Sequence, residues 1–174
     1  WEQSAAMLGV KSRAVLDLPN RYLMDGIEAR KKVAAVIRKI RPQVLFLPYW
    51  IDAHPDHIQT TQIGEAARFY AKLTKSDIPG DPCYPTHIFY YLCSHFRLHV
   101  TPSFSLDISK EFKKKLEIAW VYQSQFAYDD DRWKYISSAL TAKNQYYGNL
   151  IRADYGEPFM SREQVGLKDI RDII

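Results

Sequence analysis

The run QVLFLPY, residues 43–49, limits most strongly which fold this chain can adopt. Its apolar residues do not alternate with polar ones, which is the pattern of a strand buried on both faces of a parallel sheet. An amphipathic helix precedes the run, and a second helix is predicted from Ile58 to Leu73. Helix, buried strand, loop and helix follow one another in doubly wound α/β folds. We therefore predict a Rossmann-like, mostly parallel sheet with helices on both faces.

Shorter segments complete this prediction. The predicted strands are 12–18, 87–92 and 103–108. One predicted helix ends at Gly9, one starts at Asp25 with a capping box to Glu28, and one runs from Ser109 to about Gln125. The last predicted helix follows the three acids Asp129–Asp131, which suit a helix N-terminus. The tail from Tyr155 to Leu167 is polar and predicted to be irregular. Because the chain starts within a helix, the N-terminal strand of such a sheet is expected to be missing from it.

Composition excludes several classes of protein. A hydrophobic content of 47% and a charged content of 25% favour a single globular domain, residues 1–174. The net charge of +4 is spread out, and Lys113–Lys115 is interpreted as a solvated helix face rather than a nucleic-acid patch. No apolar run is long enough for a membrane span, and the first residues do not show the pattern of a signal peptide. The two cysteines, Cys83 and Cys93, lack metal-site spacing and suggest a reducing compartment. These features predict a cytoplasmic protein that binds neither nucleic acid nor membrane.

The stretch IDAHPDHI, residues 51–58, carries the functional argument. It follows the buried strand directly, and ligands in open α/β sheets bind beyond the carboxyl ends of the strands. Pro55 biases His54 towards an extended conformation and suits the first turn of the next helix. His54 and His57 are candidate zinc-binding imidazoles, which Asp52 and Asp56 could orient. Spacing alone leaves a capped helix start or a solvated loop as the alternative.

The remaining histidines are weaker candidates. His87 starts a predicted strand and is expected to pack or to hydrogen-bond with the backbone. His95 and His99 alternate with apolar residues, which is typical of a half-buried strand whose polar face is solvated. No acidic residue is near them in sequence, so this interpretation is favoured over a metal site. Phosphate-binding glycine loops, GxSxG elbows and cysteine nucleophile motifs do not occur.

Three segments in order resemble the LmbE/PIG-L family of zinc-dependent N-acetylglucosaminyl deacetylases. They are VAAVIRKIRPQVLFLPYWIDAHPDH, residues 33–57; PSFSLDISKEFKKKLEIAWVYQSQF, residues 102–126; and YGEPFMSREQVGL, residues 155–167. The last two resemble the bacillithiol-biosynthesis branch of the family most closely. Ala53 departs from that branch, in which an arginine is expected, so an anionic aglycone would be held less well.

The resemblance implies an activity and roles for several residues. The expected reaction is metal-dependent hydrolysis of the N-acetyl group of an N-acetylglucosaminyl conjugate, with release of acetate. By resemblance, His57 is the zinc ligand, His54 faces the tetrahedral intermediate, and Asp56 supports His54. The first family signature, which supplies the other two ligands and the general base, does not occur. The resemblance therefore implies that roughly sixty residues precede Trp1, including the missing strand.

The sequence supports three further expectations. Glu157, in the tail that resembles a segment closing over the sugar, is a candidate substrate-binding residue, and its alternative is pairing with a cation such as Arg152 or Arg162. The protein is expected to be a homo-oligomer. The alternative function is a catalytically inactive sugar-binding or structural domain with the same fold, and nucleotide binding is disfavoured because the glycines it requires do not occur.

Overall fold

The computed structural model describes residues 2–93, 95–126 and 129–169. Within these residues six helices and four strands follow one another along the chain. They are α1 (Glu2–Leu8), α2 (Ile27–Ile40), β1 (Val44–Pro48), α3 (Pro55–Ala71), β2 (His87–Tyr91), β3 (Phe104–Asp107), α4 (Phe112–Trp120), α5 (Gln123–Phe126), α6 (Asp130–Asn149) and β4 (Gly156–Met160). The predicted α/β class is confirmed, but the sheet is mixed rather than mostly parallel, because β2 pairs parallel with β1 and antiparallel with β4. Over the same residues, no helix combines the length and the apolar character that a membrane span requires.

The chain divides into two compact units. The first contains the residues up to Ala14 together with Phe104–Pro158, and the second contains Val15–Ser103 and the residues from Phe159 onward. The boundary between the two units falls within β4, after Pro158. All the histidines singled out in the sequence lie in the second unit.

In the second unit β1 and β2 form the predicted parallel pair. Their register runs from Val44 opposite His87 to Pro48 opposite Tyr91. On the other side of β2, Tyr90 and Tyr91 pair antiparallel with the last two residues of β4. The parallel pair brings the carboxyl ends of β1 and β2 to the same edge of the sheet. Residues that follow the two strands can therefore meet there.

Close packing of α3 on β1 fixes the helix that begins at the histidine stretch. A Cβ atom at Gly64 would lie 2.5 Å from Leu47 Cδ2, so any larger residue there would require the Leu47 side chain to shift. Beneath α2 and α3, apolar side chains form a buried cluster that includes Ala34, Ile37 and Ala67. The buried Thr61 hydroxyl donates to the Pro48 carbonyl at 2.7 Å, which ties the first turns of α3 to the end of β1.

In the first unit a buried amide joins α6 to the start of β4. Asn144 is fully buried, and its Nδ2 donates to the Gly156 carbonyl at 2.7 Å. A Cβ atom at Gly148 would lie 2.7 Å from the Ala153 carbonyl oxygen, and one at Gly156 would lie 2.7 Å from the Gly148 nitrogen. Both glycines are therefore required by the close approach of the backbones.

The structure differs from the sequence predictions at several elements. Residues 12–18 form no strand, and Val15, an apolar residue of this segment, is 72% exposed. The predicted capping box does not form: α2 starts after Gly26, and Asp25 binds the Arg30 guanidinium instead. The predicted helix from Ser109 is divided into α4 and α5. The tail, predicted to be irregular, contains β4.

Two predicted helix ends are confirmed. Gly9 ends α1 in the left-handed conformation, with φ of 68°. The Asp129 carboxylate caps α6 by accepting the Arg132 N–H at 2.6 Å. Both helix ends depend on the residue at the end itself, a capping carboxylate or a glycine, so they can be predicted from the sequence.

Candidate functional site

His54 begins the site as the N-cap of α3. Its backbone is extended, as Pro55 predicts, and Pro55 occupies the first turn of the helix. His54 Nδ1 accepts the Asp56 backbone N–H at 3.2 Å. Because Nδ1 is the acceptor in this bond, the neutral ring carries its proton on Nε2. His54 therefore presents an N–H donor.

A fully buried carboxylate lies behind the histidines. Asp52 Oδ1 accepts the backbone N–H groups of His54 and His95, each at 3.0 Å, and His95 Nδ1 lies 3.0 Å from the same atom. Oδ2 lies 2.7 Å from His57 Nδ1. Burial alone would raise the pKa of Asp52. The two backbone N–H groups and the two imidazole N–H groups outweigh it and hold the pKa well below its usual range.

His57 takes the opposite tautomer from His54. An ionised carboxylate only accepts hydrogen bonds, so the Asp52 contact places the His57 proton on Nδ1 and leaves a lone pair on Nε2. The two rings are stacked, with centroids 4.7 Å apart and planes 12° apart. The pair therefore offers one N–H donor, on His54 Nε2, and one lone pair, on His57 Nε2. A donor can stabilise a developing negative charge, and a lone pair can bind a metal ion.

His95 belongs to the same cluster, which sequence reasoning missed. Its ring centroid is 5.6 Å from that of His54 and 5.2 Å from that of His57. The strand predicted around His95 and His99 is wrong, because residues 95–100 form bends and coil. The acidic partner of His95 is Asp52, 43 residues earlier. Only the parallel pairing of β1 with β2 could have indicated this contact, since it brings the ends of the two strands together.

Cys93 adds a candidate metal donor. Its Sγ lies 3.6 Å from His57 Nδ1, and ligand atoms of Asp52, His57 and Cys93 all lie within 4.8 Å of one another. Carboxylate, imidazole and thiolate are the three ligand types that Zn²⁺ uses in proteins, so the donor set fits this ion. Metal-site spacing is absent around Cys93 in the sequence because its partners Asp52 and His57 come from another part of the chain.

Asp56 holds the loop that precedes α2. Its carboxylate accepts the backbone N–H groups of Arg21 at 2.6 Å and Leu23 at 3.3 Å. Support for His54 comes from the backbone N–H of Asp56, while the hydrogen bonds observed for the carboxylate go to the loop. Asp56 therefore contacts His54 through its main chain.

Glu157 lies in the first unit, where it is held by two polar partners. Its Oε2 pairs with Lys115 Nζ and accepts Asn144 Nδ2 at 3.0 Å. The Glu157 side chain is 19% exposed, and that of Lys115 is 31% exposed. Lys115 is thus a half-buried partner of an acid, unlike the solvated face predicted for Lys113–Lys115. The cation is neither Arg152 nor Arg162, and Arg162 pairs with Glu65.

A separate cleft of about 200 Å³ lies in the second unit. Its walls carry two arginine–carboxylate pairs, Arg68 with Glu163 and Arg162 with Glu65. None of the histidines at the start of α3 is among the residues that line it. The charges of the two arginines in its walls are thus balanced by those of the two glutamates.

Part of the chain matches the sequence profile of a known protein family. Residues 1–68, which include the histidine stretch, match the sequence profile of PIG-L, described as GlcNAc-PI de-N-acetylase. Diacetylchitobiose deacetylase of Thermococcus kodakarensis is 32% identical over 165 residues, or 90% of this chain and 58% of that protein. The chain thus spans less than two thirds of the length of this relative.

Two solved structures are similar over most of the chain. The conserved protein TT1542 from Thermus thermophilus has a TM-score of 0.84 and 31% identity, and the match covers 95% of this chain and 72% of that one. The N,N'-diacetylchitobiose deacetylase from Pyrococcus horikoshii, complexed with its inhibitor MPG, has a TM-score of 0.76 and 29% identity. That match covers 91% of this chain and 60% of the other.

Proposed function

Because the chain belongs to the PIG-L (LmbE-like) family, we propose that it acts in the metal-dependent hydrolysis of the N-acetyl group of an N-acetylglucosaminyl conjugate, with release of acetate. The family profile is named for a GlcNAc-linked substrate, and two relatives are named for diacetylchitobiose. An acetylated amino sugar is the substrate class that these names share. The observation that carries the proposal is the stacked pair of His54 and His57 in opposite tautomers at the end of β1.

His57 is the metal ligand in this proposal. Its Nε2 carries the lone pair, and Asp52 holds its Nδ1–H, which is the usual arrangement of a metal-binding histidine and an orienting carboxylate. Asp52 and Cys93 lie on the Nδ1 side of the ring, so they would be ligands only if His57 bound the metal through Nδ1 instead. When bound, Zn²⁺ supplies Lewis acidity that polarises an amide carbonyl and activates water.

His54 stabilises the tetrahedral intermediate as a neutral hydrogen-bond donor. Its Nε2–H can donate to the oxygen on which negative charge develops when the amide carbonyl is attacked. The Asp56 N–H occupies Nδ1, so loss of the Nε2 proton would leave an unfavourable imidazolate. His54 is therefore better suited to hold a proton at the oxyanion than to transfer it to the leaving amine. The Asp56 backbone fixes this tautomer.

Acetate release tests the proposal directly. Protein made from the complete gene, loaded with Zn²⁺, is assayed on N,N'-diacetylchitobiose, N-acetylglucosaminyl malate and free N-acetylglucosamine. We expect acetate from at least one of them and none from His57→Ala, whereas His99→Ala, an exposed histidine, serves as the matched control. Zinc content is measured on the same samples. Binding of all three sugars without turnover by the zinc-loaded wild type would favour the sugar-binding alternative instead.

A further inference from the structure

The two oxygens of the Asp52 carboxylate have different partners. Oδ1 accepts three hydrogen bonds, from the His54 N–H, the His95 N–H and the His95 ring. Oδ2 is next to His57 Nδ1. The orientation of the carboxylate plane therefore depends on the donors at Oδ1, and the position of Oδ2 in turn depends on that plane.

The His95 ring is the side-chain donor at Oδ1. Because ionised Asp52 only accepts hydrogen bonds, His95 Nδ1 must carry the proton. The His95 ring is 56% exposed, whereas the Asp52 side chain is fully buried. Packing in the hydrophobic core therefore does not fix the position of this ring. The ring is positioned by its hydrogen bond to Asp52 and by contacts with the rings of His54 and His57.

We propose that His95 is a positioning residue, which holds the Asp52 carboxylate so that Oδ2 fixes His57 with its proton on Nδ1 and its lone pair on Nε2. Its effect on turnover rests on the proposed function, whereas its effect on the His57 tautomer does not. Two backbone N–H groups still reach Oδ1 when the His95 ring is removed. The protein should therefore fold without the ring, but two donors instead of three then hold the Asp52 carboxylate, and its plane can tilt so that Oδ2 moves away from His57 Nδ1.

Three substitutions at one position separate this role from simple packing. His95→Ala removes the donor. His95→Asn places an amide N–H close to the position of Nδ1, and His95→Gln places it close to that of Nε2. Only the asparagine variant should therefore replace the hydrogen bond to Asp52. His99→Ala is the matched control, since His99 is an exposed histidine of the same segment.

The first measurement uses metal-free protein and needs no activity. The ¹⁵N chemical shifts of the His57 ring report which nitrogen carries the proton. We expect protonation at Nδ1 in wild type, His95→Asn and His99→Ala, and a mixture of tautomers in His95→Ala and His95→Gln. An unchanged Nδ1–H signal in folded His95→Ala would overturn the proposal, whatever the activity of the protein.

The second measurement uses zinc-loaded protein. Loss of an orienting partner lowers metal affinity or activity by about 10- to 100-fold. We expect a loss of this size in kcat or zinc affinity for His95→Ala, with KM little changed, and recovery in His95→Asn. If the tautomer shifts but the wild type releases no acetate, the positioning role stands and the proposed function fails. If the wild type is active and all four variants equal it in every measurement, the positioning role fails alone.

Discussion

Asp52 Oδ2 lies 2.7 Å from His57 Nδ1, and the Asp52 side chain is fully buried. This contact determines what the site can do. A buried carboxylate that remains ionised keeps a proton on the adjacent nitrogen, and the far nitrogen then carries an available electron pair. The same carboxylate binds His95, so one acid organises two of the three clustered imidazoles.

Asp52→Asn tests this relationship. The asparagine oxygen can replace Oδ1 opposite its three donors, but its amide N–H groups then face His57 Nδ1, which must become an acceptor. We expect the His57 tautomer to reverse and zinc affinity to fall by about 10- to 100-fold. Competition with a chromophoric chelator measures the affinity, and ¹⁵N chemical shifts measure the tautomer. Zinc affinity equal to that of wild type would show that Asp52 does not orient a ligand.

His54→Asn separates the two roles of His54. Asparagine is a good N-cap and should keep the start of α3 stable, but it lacks the Nε2–H donor. Removing one donor to a developing oxyanion costs about 100- to 1,000-fold in kcat. We therefore expect this loss in kcat with unchanged thermal stability and zinc content. His54→Ala should lose the same activity and also about 1 kcal/mol of helix-capping free energy. Loss of zinc from either variant would identify His54 as a ligand.

The start of the site could be predicted from the sequence because its determinants are local. The apolar run, the proline after His54 and the pair of histidines are adjacent, and the structure places them at the end of β1 and the first turn of α3. His95 and Cys93 could not be found in this way. Their contacts with Asp52 and His57 join residues on different strand ends, and only the register of β1 with β2 brings them together.

Elements that depend on tertiary partners were also missed. The alternation of polar and apolar residues around His95 predicted a strand with a buried apolar face. Phe96, one of those apolar residues, is 49% exposed, so the alternation does not reflect burial. The tail contains Gly156 and Pro158, which disfavour strands locally, and yet β4 forms there. Antiparallel pairing with β2 stabilises the end of that strand and overrides the local preference.

Cobalt substitution determines whether Cys93 joins the metal site. If His57 binds through Nε2 with Asp52 behind it, Cys93 is not needed as a ligand. We therefore expect Co²⁺-loaded protein to lack the near-ultraviolet charge-transfer band of a thiolate–cobalt bond. Cys93→Ser should then leave the spectrum and the metal stoichiometry unchanged, as should Cys83→Ser, the matched control. A band that disappears only in Cys93→Ser would instead assign Asp52, His57 and Cys93 as the ligands, with His57 binding through Nδ1.

Glu157 provides a test of whether the tail binds sugar. Its carboxylate already pairs with Lys115 and accepts a hydrogen bond from buried Asn144, so removal of its charge should affect stability. Glu157→Gln keeps the shape and loses the ion pair, and Lys115→Met loses the same ion pair while it keeps the carboxylate. A partly exposed pair of this kind contributes about 0.2–1 kcal/mol, and we expect both variants to lose that much in thermal unfolding.

The two variants should differ in kinetics if Glu157 also binds substrate. A carboxylate that accepts hydrogen bonds from sugar hydroxyls contributes to binding in the ground state, so its loss raises KM at constant kcat. We expect Glu157→Gln to raise KM for N-acetylglucosaminyl malate and for N-acetylglucosamine, with unchanged zinc content, and Lys115→Met to leave KM near that of wild type. Equal KM values for the two variants and wild type would assign Glu157 to the fold alone. A parallel rise in both would trace the effect to the ion pair, because only Glu157→Gln removes the acceptor itself.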